Sequence, residues 1–456
     1  MAKSRTQYIC QECGRTAPKA LGRCPQCGAW SSMVEEIVAP PRQRKHSAGL
    51  QSASSPKRLS EITGDPEERI PLGIEEFARV LGGGIVPGSV VLIGGDPGIG
   101  KSTLLLQMAL AMSERERVLY VSGEESERQI KTRAHRLAQS ETLSPELFVL
   151  AETDLQLITQ HTEQVAPSAL VIDSIQTMHF SELESSAGSI TQVRECAAQL
   201  QRLAKSSGIA VFLVGHVTKE GAIAGPRVME HIVDTVLYLE GDPYHAYRIL
   251  RSVKNRFGPT TEVGVFEMQQ HGLVEVPNPS EAFLAERVVN APGSAVAVTM
   301  EGTRPLLVEI QGLTSKTAFG HPRRTANGID IQRLLLTVAV LSRRVGIRLD
   351  DQDVFINVVG GMHISEPAAD LATAIAIASS LSDKPVPADV ALIGEVGLTG
   401  ELRAVAQIPA RLHEAAKLGF KRVVIPKQVR GEPPAPAGLE IIAARSVREV
   451  SALLLV

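Results

Sequence analysis

The chain reads SVVLIGGDPGIGKSTLLLQMALAM over residues 89–112, and this stretch sets the class of fold. Residues 90–94 predict a short aliphatic strand and residues 103–112 an apolar helix, with a glycine-rich loop between them. The loop from Gly95 to Ser102 fits the pattern G-x-x-x-x-G-K-[ST]. Backbone N–H groups approach phosphate oxygens closely only where side chains are absent, and a helix N-terminus adds a favourable dipole. The stretch therefore predicts a nucleotide-phosphate site at the end of a strand.

Nine residues make up the predicted phosphate loop. We expect the ammonium group of Lys101 to neutralise the β- and γ-phosphates, and the hydroxyl of Ser102 to hold Mg²⁺. The loop consists of Gly95, Asp96, Pro97, Gly98, Ile99, Gly100, Lys101, Ser102 and Thr103.

Three further strands are predicted downstream, over residues 118–121, 169–172 and 209–214. Asp173 follows the second of them and is expected to hold Mg²⁺ through water. Glu124 follows the first and is expected to polarise the attacking water. A helix N-terminus, which favours acidic residues through its dipole, is the alternative explanation for Glu124 and Glu125.

The third of these strands leads into a polar segment and then a loop of small residues. A polar residue such as His216 is a candidate sensor of the γ-phosphate, although a single histidine is as often structural. The loop over residues 220–227 predicts a nucleic-acid contact in which Lys219 and Arg227 reach phosphates.

The composition is that of a globular protein with an aliphatic core. The 456 residues predict two or three domains, and 44% of them are hydrophobic but only 4% aromatic. Core volume must then come from Val, Ile, Leu and Ala, which is typical of α/β domains with buried parallel strands. No apolar stretch reaches the ~18 residues that a bilayer span needs, and the first ten residues contain no apolar leader. We expect a soluble cytoplasmic protein with no membrane partner.

Residues 1–60 are strongly basic in a chain whose net charge is −3. They carry ten Lys/Arg and three Asp/Glu, a local charge of +7. This asymmetry indicates that a polyanion meets the N-terminal end, with a solvated tail as the alternative. Residues 34–60 are rich in Pro, Ser, Arg and Gln and predict a flexible linker, which we expect to extend over residues 34–65.

Four of the five cysteines form two Cys-x-x-Cys-Gly knuckles. Two-residue spacing lets both thiolates of a knuckle point at one ion, and the glycine permits the positive φ that such a turn needs. Disulfides are disfavoured in a reducing compartment, and a redox-active pair is the other alternative. Residues 1–33 therefore predict a closed, structural Zn²⁺ ribbon, whereas Cys196 is expected to be a buried apolar side chain. The predicted ligands are Cys10, Cys13, Cys24 and Cys27.

Two further segments carry a family resemblance. Residues 81–103, LGGGIVPGSVVLIGGDPGIGKST, resemble the nucleotide-binding core of RecA-like ATPases. Residues 254–258, KNRFG, match the signature pentapeptide of the bacterial RadA (Sms) family of DNA-repair proteins, with which an N-terminal zinc ribbon agrees. The resemblance covers essentially the whole chain. It implies a RecA-like P-loop core over residues 66–278, with Asp173 as the Walker B acid and Glu124 as the water-activating acid.

The resemblance also implies roles for Lys254 and Arg256. They would act across a subunit boundary on a neighbour's ATP, in the manner of arginine fingers, and they are also candidate DNA contacts. An arginine that arrives only on assembly stabilises the charge that develops in phosphoryl transfer. The alternative is that Arg256 merely ends a β-hairpin between residues 247–253 and 261–268.

Residues 279–456 predict a second α/β unit. Strands are expected over residues 294–300, 305–311 and 353–359, and helices over residues 329–345, 368–381 and 409–418. This unit resembles the proteolytic domain of Lon proteases, which use a Ser–Lys dyad. Ala368 stands in the nucleophile's place and Pro409 at the expected lysine, so the dyad chemistry is excluded. We expect a Lon-protease-like domain used for oligomerisation and for DNA or partner contact.

A basic face for the DNA backbone is predicted in that second unit. Its residues are Lys316, Arg323 and Arg324, and an ordinary solvated loop is the alternative.

Together these features and the resemblance imply an α/β DNA-dependent ATPase with ATP, Mg²⁺ and Zn²⁺ as cofactors. It would assemble as a homo-oligomer, a hexameric ring, and would bind single-stranded and branched DNA at the nucleoid. From the family, it would act as a helicase-like motor for branch migration and strand-exchange extension alongside the recombinase RecA. An ATP-dependent protease and a regulatory ATPase of the KaiC type are the competing hypotheses.

Overall fold

A computed structural model of the chain describes residues 5–10, 15–19, 21–26, 28–30, 32–38, 58, 69–140, 142–183, 185–215, 229–241, 246–318, 320–427 and 433–455. The chain divides into two compact units. The first consists of Met1–Glu240, Ile249–Thr260 and Met268–Glu275, and the second of Gly241–Arg248, Thr261–Glu267 and Val276–Val456. Among the described residues, no helix has both the length and the apolar character needed to cross a bilayer.

The N-terminal segment forms a small antiparallel sheet of three strands in the order β2-β1-β3. The register pairs Cys10 with Met33 and Arg5 with Val38. The first residues of the predicted linker, 34–38, therefore belong to the sheet, which corrects the boundary that composition suggested. The strands are β1 (Arg5–Cys10), β2 (Thr16–Ala17) and β3 (Met33–Val38).

The central part of the chain alternates strands and helices. The predicted strand before the phosphate loop and the helix after it are both confirmed, and the helix begins at Lys101. The elements are α1 (Glu75–Leu81), β4 (Val90–Gly94), α2 (Lys101–Met112), β5 (Val118–Ser122), α3 (Glu127–Ala138), β6 (Leu147–Ala151), α4 (Leu155–Val165), β7 (Ala169–Asp173), α5 (Ile190–Ser207), β8 (Ala210–Val214), β9 (Thr235–Glu240), β10 (Tyr247–Asn255), β11 (Val263–Gln269) and β12 (Gly272–Glu275).

These strands form one nine-stranded sheet in the order β12-β11-β10-β9-β4-β8-β7-β5-β6. The six strands from β9 to β6 are parallel, and β10 runs antiparallel to β9. All residues of β4, β5, β7 and β8 are buried, as expected for parallel strands whose two faces are both covered. The carboxyl ends of β4, β5, β7 and β8 consequently lie along one edge of the sheet.

The second unit is built on a mixed seven-stranded sheet in the order β15-β16-β14-β13-β17-β20-β21. Helix α8 packs closely on it, since a Cβ at Gly312 of β14 would lie 3.0 Å from the backbone of Ala376. The strands predicted over residues 294–300 and 305–311 are confirmed as β13 and β14, which pair with each other. The elements are α6 (Pro279–Leu284), β13 (Ser294–Glu301), β14 (Arg304–Lys316), β15 (Arg324–Asn327), α7 (Ile331–Val340, extended by a π-helical turn, Leu341–Val345), β16 (Gln352–Val358), α8 (Asp370–Ser382), β17 (Val390–Leu392), β18 (Glu395–Val396), β19 (Leu402–Arg403), α9 (Ile408–Lys417), β20 (Arg422–Pro426), β21 (Glu440–Ala444) and α10 (Val447–Leu454).

Candidate nucleotide site and its partner surfaces

The phosphate loop closes around the ammonium group of Lys101. Its Nζ donates to the carbonyl oxygens of Gly95 (2.8 Å) and Asp96 (2.9 Å), and the side chain is buried. Burial lowers the pKa of Lys101, an effect opposed by the negative charges of Asp173, Asp96 and Glu124. Phosphate oxygens are stronger acceptors than these carbonyls for a charged donor. The lysine is thus held inside the loop, ready to exchange carbonyl partners for phosphate.

Gly100 shows why this loop needs glycine. Its φ is 115°, and a Cβ there would lie 2.7 Å from Cε of Met268. A side chain at this position would therefore strain the backbone and be crowded by the Met268 side chain of β11. The position directly before α2 accepts only glycine without rearrangement.

Ser102 and Asp173 meet at the carboxyl edge of the sheet. The hydroxyl of Ser102 donates to Oδ1 of Asp173 over 2.9 Å, and Asp173 is 4% exposed. A hydroxyl and a carboxylate are oxygen ligands of the kind Mg²⁺ prefers, directly or through water. The two residues chosen from sequence as magnesium ligands are thus adjacent, although they are 71 positions apart.

Glu124 contacts Ser174, the residue that follows Asp173. Its Oε1 accepts a hydrogen bond from the hydroxyl of Ser174 over 2.7 Å, and its backbone N–H reaches the hydroxyl of Ser122 over 3.3 Å. Helix α3 begins only at Glu127, with Ser126 as its N-cap. Glu124 and Glu125 therefore precede the first helical turn, which weakens the dipole explanation for their acidity.

Two residues that sequence reasoning missed support Asp173 from behind. The hydroxyl of Tyr120 donates to Oδ2 of Asp173 over 2.5 Å, and Nη2 of Arg133 lies 3.2 Å from that hydroxyl. The same Nη2 lies 2.8 Å from the carboxylate of Glu125. Burial, and secondarily the negative charge of Asp173, raise the pKa of Tyr120, so its proton stays available for donation. No local sequence spacing predicts this series of hydrogen bonds, because Tyr120, Asp173 and Arg133 come from β5, β7 and α3.

The Lys254–Arg256 segment lies at the opposite edge of the sheet. Asn255 pairs with Thr235, the first residue of β9, and Thr235 pairs with Val91 near the start of β4. The phosphate loop follows Gly94 at the other end of β4. At about 3.3 Å per residue, the length of β4 separates the two edges by roughly 13–17 Å. Lys254 and Arg256 thus face away from the phosphate loop of their own chain.

Both cations have intramolecular partners. Nζ of Lys254 donates to the carbonyl oxygens of Glu230 (2.5 Å) and Val233 (2.7 Å). Nη1 of Arg256 lies 3.0 Å from Oδ1 of Asp234, yet the Arg256 side chain is 50% exposed. Desolvation, and secondarily the charge of Arg256, lower the pKa of Lys254. The segment is anchored at its base while the guanidinium still faces solvent.

Asp234 was also missed from sequence. It is 3% exposed, and its Oδ2 accepts the backbone N–H of Val90 over 3.1 Å. The only sequence signal is an acid directly before a short apolar run, which by itself suggests a turn. His216, Thr218, Lys219 and Arg227 lie outside the described residues.

The two ribbon cysteines that the structure describes, Cys10 and Cys24, begin equivalent turns. The N–H of Cys10 donates to the carbonyl of Arg15 over 2.9 Å, and that of Cys24 to the carbonyl of Ala29 over 2.8 Å. Both cysteines are buried. Gly28 has a φ of 75°, the left-handed conformation predicted for the residue after each knuckle. Cys13 and Cys27 lie outside the described residues.

Curated proteins resemble this chain over nearly its full length. The DNA repair protein RadA of Bacillus subtilis is 53% identical over 454 residues, covering 98% of each chain. The DNA repair protein RadA of Listeria monocytogenes is 51% identical over 451 residues, again with 98% of each chain covered. The chain belongs to the RadA family of DNA repair proteins.

Family models divide this RadA-family chain into three parts. An AAA domain matches residues 57–222, a rubredoxin metal binding domain residues 8–35, and the subunit ChlI of Mg-chelatase residues 329–429. The chain thus combines a metal-binding ribbon, a RecA-like P-loop ATPase core and a Lon-protease-like domain, as the sequence predicted.

Solved structures show weaker likeness over slightly less than half of the chain. A KaiC-like protein from Pyrococcus horikoshii is 22% identical with a TM-score of 0.39, covering 46% of this chain and 99% of its own. The RadB recombinase is 21% identical with a TM-score of 0.36, covering 45% of this chain and 99% of its own.

In the Lon-like domain of this RadA-family chain, an ion pair links the two segments that would carry a protease dyad. Arg411 is completely buried and donates to both carboxylate oxygens of Glu366 and to the carbonyl of Val298. Glu366 lies two residues before Ala368, and Arg411 two residues after Pro409. A structural salt bridge thus joins the two segments.

The predicted basic face of the Lon-like domain needs one correction. The guanidinium of Arg324 donates to the carbonyl oxygens of Leu349 (2.6 Å), Arg323 (2.9 Å) and Gln352, and burial lowers its pKa. It fastens β15 to the loop before β16, so three of its N–H donors are already used within the chain. Lys316 and Arg323 are exposed.

Cys196 is confirmed as a core residue. It is 0% exposed and belongs to the apolar cluster between α5 and the central sheet. Burial raises the pKa of its thiol to about 12, so a nucleophilic thiolate is absent at neutral pH.

Proposed function

We propose that this chain hydrolyses ATP at sites formed between neighbouring copies. The observation that supports this proposal is that the phosphate loop and the Lys254–Arg256 segment lie at opposite edges of one sheet. Cations that face away from their own loop can stabilise a transferring phosphoryl group only in another copy. An arginine supplied by a neighbour has large effects on phosphoryl transfer because it meets charge that develops in the transition state.

The residues at the carboxyl ends of the parallel strands have distinct roles in this proposal. Lys101 would bind the β- and γ-phosphates with its ammonium group, and Ser102 and Asp173 would hold Mg²⁺, which neutralises phosphate charge when bound. Glu124 would orient a water and accept its proton, with its carboxylate position fixed by the hydroxyl of Ser174. Tyr120 and Arg133 would orient the carboxylate of Asp173.

The location of the phosphate loop and the Lys254–Arg256 segment at opposite edges also favours assembly of several copies into a closed ring. A contact between two different surfaces of identical chains is heterologous, and such contacts generate rings when the rotation closes. We propose a hexameric ring in which every phosphate loop receives Lys254 and Arg256 from the next copy.

We further propose that this motor acts on DNA. Its RadA relatives are named DNA repair proteins, and residues 1–60 carry a local charge of +7. Single-stranded and branched DNA would be the substrates, with branch migration and strand-exchange extension beside RecA at the nucleoid as the outcome. Candidate phosphate contacts are Lys219, Arg227, Lys316 and Arg323, and the ribbon cysteines would hold Zn²⁺.

The test is steady-state ATP hydrolysis with Mg²⁺, with and without single-stranded DNA, for the unmodified chain, Lys101→Ala and Arg256→Ala. Stimulation by DNA that both substitutions abolish supports the proposal. Hydrolysis that is indifferent to DNA contradicts the motor and favours a regulatory ATPase. Casein degradation in the presence of ATP would indicate a protease; with Ala368 and Pro409 at the dyad positions, we expect none.

A further inference from the structure

The metal-binding ribbon presents the single tryptophan of the chain to solvent. Trp30 is 74% exposed. Tryptophan is among the largest apolar side chains, and leaving most of its surface in water sacrifices the free energy that burial would contribute. Tryptophan is enriched where proteins meet their partners, so an exposed indole with a cation beside it is a candidate contact for a partner.

Arg23 holds this ring from one side. Cζ of Arg23 lies 5.7 Å from the ring centroid, and Nε donates to the carbonyl of Gly28 over 2.9 Å. The backbones of Arg23 and Trp30 form an antiparallel bridge. A Cβ at Gly28 would lie 3.3 Å from Nη2 of Arg23, so glycine leaves room for the guanidinium. One face of the indole is covered by a fixed cation, while the other stays open.

The segment that carries Trp30 is basic, although Glu12 precedes it and Glu35 and Glu36 follow it in the sequence. Between Cys13 and Val34 the sequence contains Arg15, Lys19 and Arg23 but no Asp or Glu. All three cations are exposed. A surface of this charge attracts a polyanion, and a guanidinium beside an open aromatic face suits a phosphate next to a base.

We propose that Trp30, with Arg23 behind it, is a base-stacking platform for single-stranded nucleic acid. A base would stack on the open face of the indole, and Arg23 and Lys19 would contact the adjoining phosphates. Bases in a duplex are already stacked and would not be available, so the platform distinguishes single strands from duplexes. Exposed tryptophans also anchor protein interfaces, but the positive charge of residues 14–33 favours nucleic acid. The platform does not depend on ATP hydrolysis or ring assembly.

The single tryptophan supplies a direct readout. Intrinsic fluorescence of the zinc-loaded full chain is titrated with a short oligothymidylate and, in parallel, with a duplex. We expect saturable quenching by the single strand, little by the duplex, and a weaker effect at higher salt. The affinity of a labelled oligothymidylate, measured by anisotropy, should fall about 5- to 100-fold in Trp30→Ala, less in Trp30→Phe, and several-fold in Arg23→Ala.

Leu21→Ala is the matched control, because Leu21 is an exposed apolar residue of the same ribbon. It should leave the affinity unchanged, and zinc content should be equal in all variants. Binding of the oligothymidylate with unchanged tryptophan fluorescence, or an affinity unaltered in Trp30→Ala, would overturn the platform and leave a protein partner as the occupant. Should Trp30→Ala lose zinc, the fluorescence titration of the unmodified chain decides alone.

Discussion

Arg256 donates a hydrogen bond from Nη1 to Oδ1 of Asp234 over 3.0 Å. The other oxygen of this buried carboxylate accepts the N–H of Val90, at the start of the strand that leads to the phosphate loop. The carboxylate of Asp234 therefore joins two parts of the protein. One is Arg256, which is proposed to act on a neighbour's ATP, and the other is β4, which leads to the chain's own phosphate loop.

Asp234→Asn tests this connection. Asparagine keeps an acceptor for Val90 but loses the charge that holds Arg256, so we expect kcat to fall about 10- to 100-fold with little change in KM. In a double-mutant cycle with Arg256→Ala the losses should be strongly non-additive, since both changes remove one interaction. Additive losses would contradict the proposal that Asp234 acts through Arg256.

Mixed assemblies test whether the cations act between copies. The Lys101→Ala variant retains Lys254 and Arg256, and the Arg256→Ala variant retains its phosphate loop. Each variant alone should therefore hydrolyse ATP only at a small residual rate. Random mixing of equal amounts should restore about a quarter of the native rate, because that share of interfaces pairs an intact loop with an intact arginine. A mixture as inactive as its components would rule out action between copies.

Tyr120→Phe tests the support behind Asp173. The substitution removes the hydroxyl that donates to Oδ2 and leaves the ring in place. We expect the Mg²⁺ concentration for half-maximal hydrolysis to rise about 10-fold, as is typical when a partner of a metal ligand is lost. Tyr247→Phe is the control, because the ring of Tyr247 packs edge-on against Phe283 within the second unit. An unchanged Mg²⁺ requirement would contradict a positioning role for Tyr120.

Arg411→Met tests the ion pair of the Lon-like domain. It leaves the carboxylate of Glu366 partly buried without its charged partner, which typically costs about 3–5 kcal/mol of unfolding free energy. We expect a clearly lower thermal midpoint of the full chain and a smaller loss when Glu366→Gln is added. Arg403→Met, at an exposed pair with Glu401, should change the midpoint little. Equal effects of the two arginine substitutions would contradict a structural role for the buried pair.

Cys24→Ser tests the ribbon. Loss of one thiolate from a four-cysteine set should release the metal, so bound zinc measured on the purified chain should fall from about one equivalent towards none. Cys196→Ser is the control, because Cys196 is buried in the apolar core far along the sequence. Zinc retained by Cys24→Ser would contradict the proposed ligand set.

The fold of this protein could be predicted from local patterns to a large extent. The strand, loop and helix around Lys101 were located to within two residues, because glycine placement and aliphatic runs are constraints that act over short stretches. The boundary of the ribbon was wrong by five residues, since pairing of β3 with β1 overrides a polar composition. Arg324 was misassigned because a sequence shows a charge but not the carbonyl groups that surround it.

The sequence by itself determined the chemistry that is available: a phosphate loop with Lys101 and Ser102, an acid at Asp173, paired cysteine knuckles, and a domain without a dyad. Tertiary structure alone decided the arrangement of these groups. The parallel strands bring Ser102, Asp173 and Glu124 together at one edge of the sheet. Because β10 runs antiparallel to β9, its last residues and Arg256 lie at the other edge. Strand direction and order arise from contacts between residues far apart in the chain, and no local pattern encodes them. The same cause hid Tyr120, Arg133 and Asp234, whose roles exist only through partners in other elements.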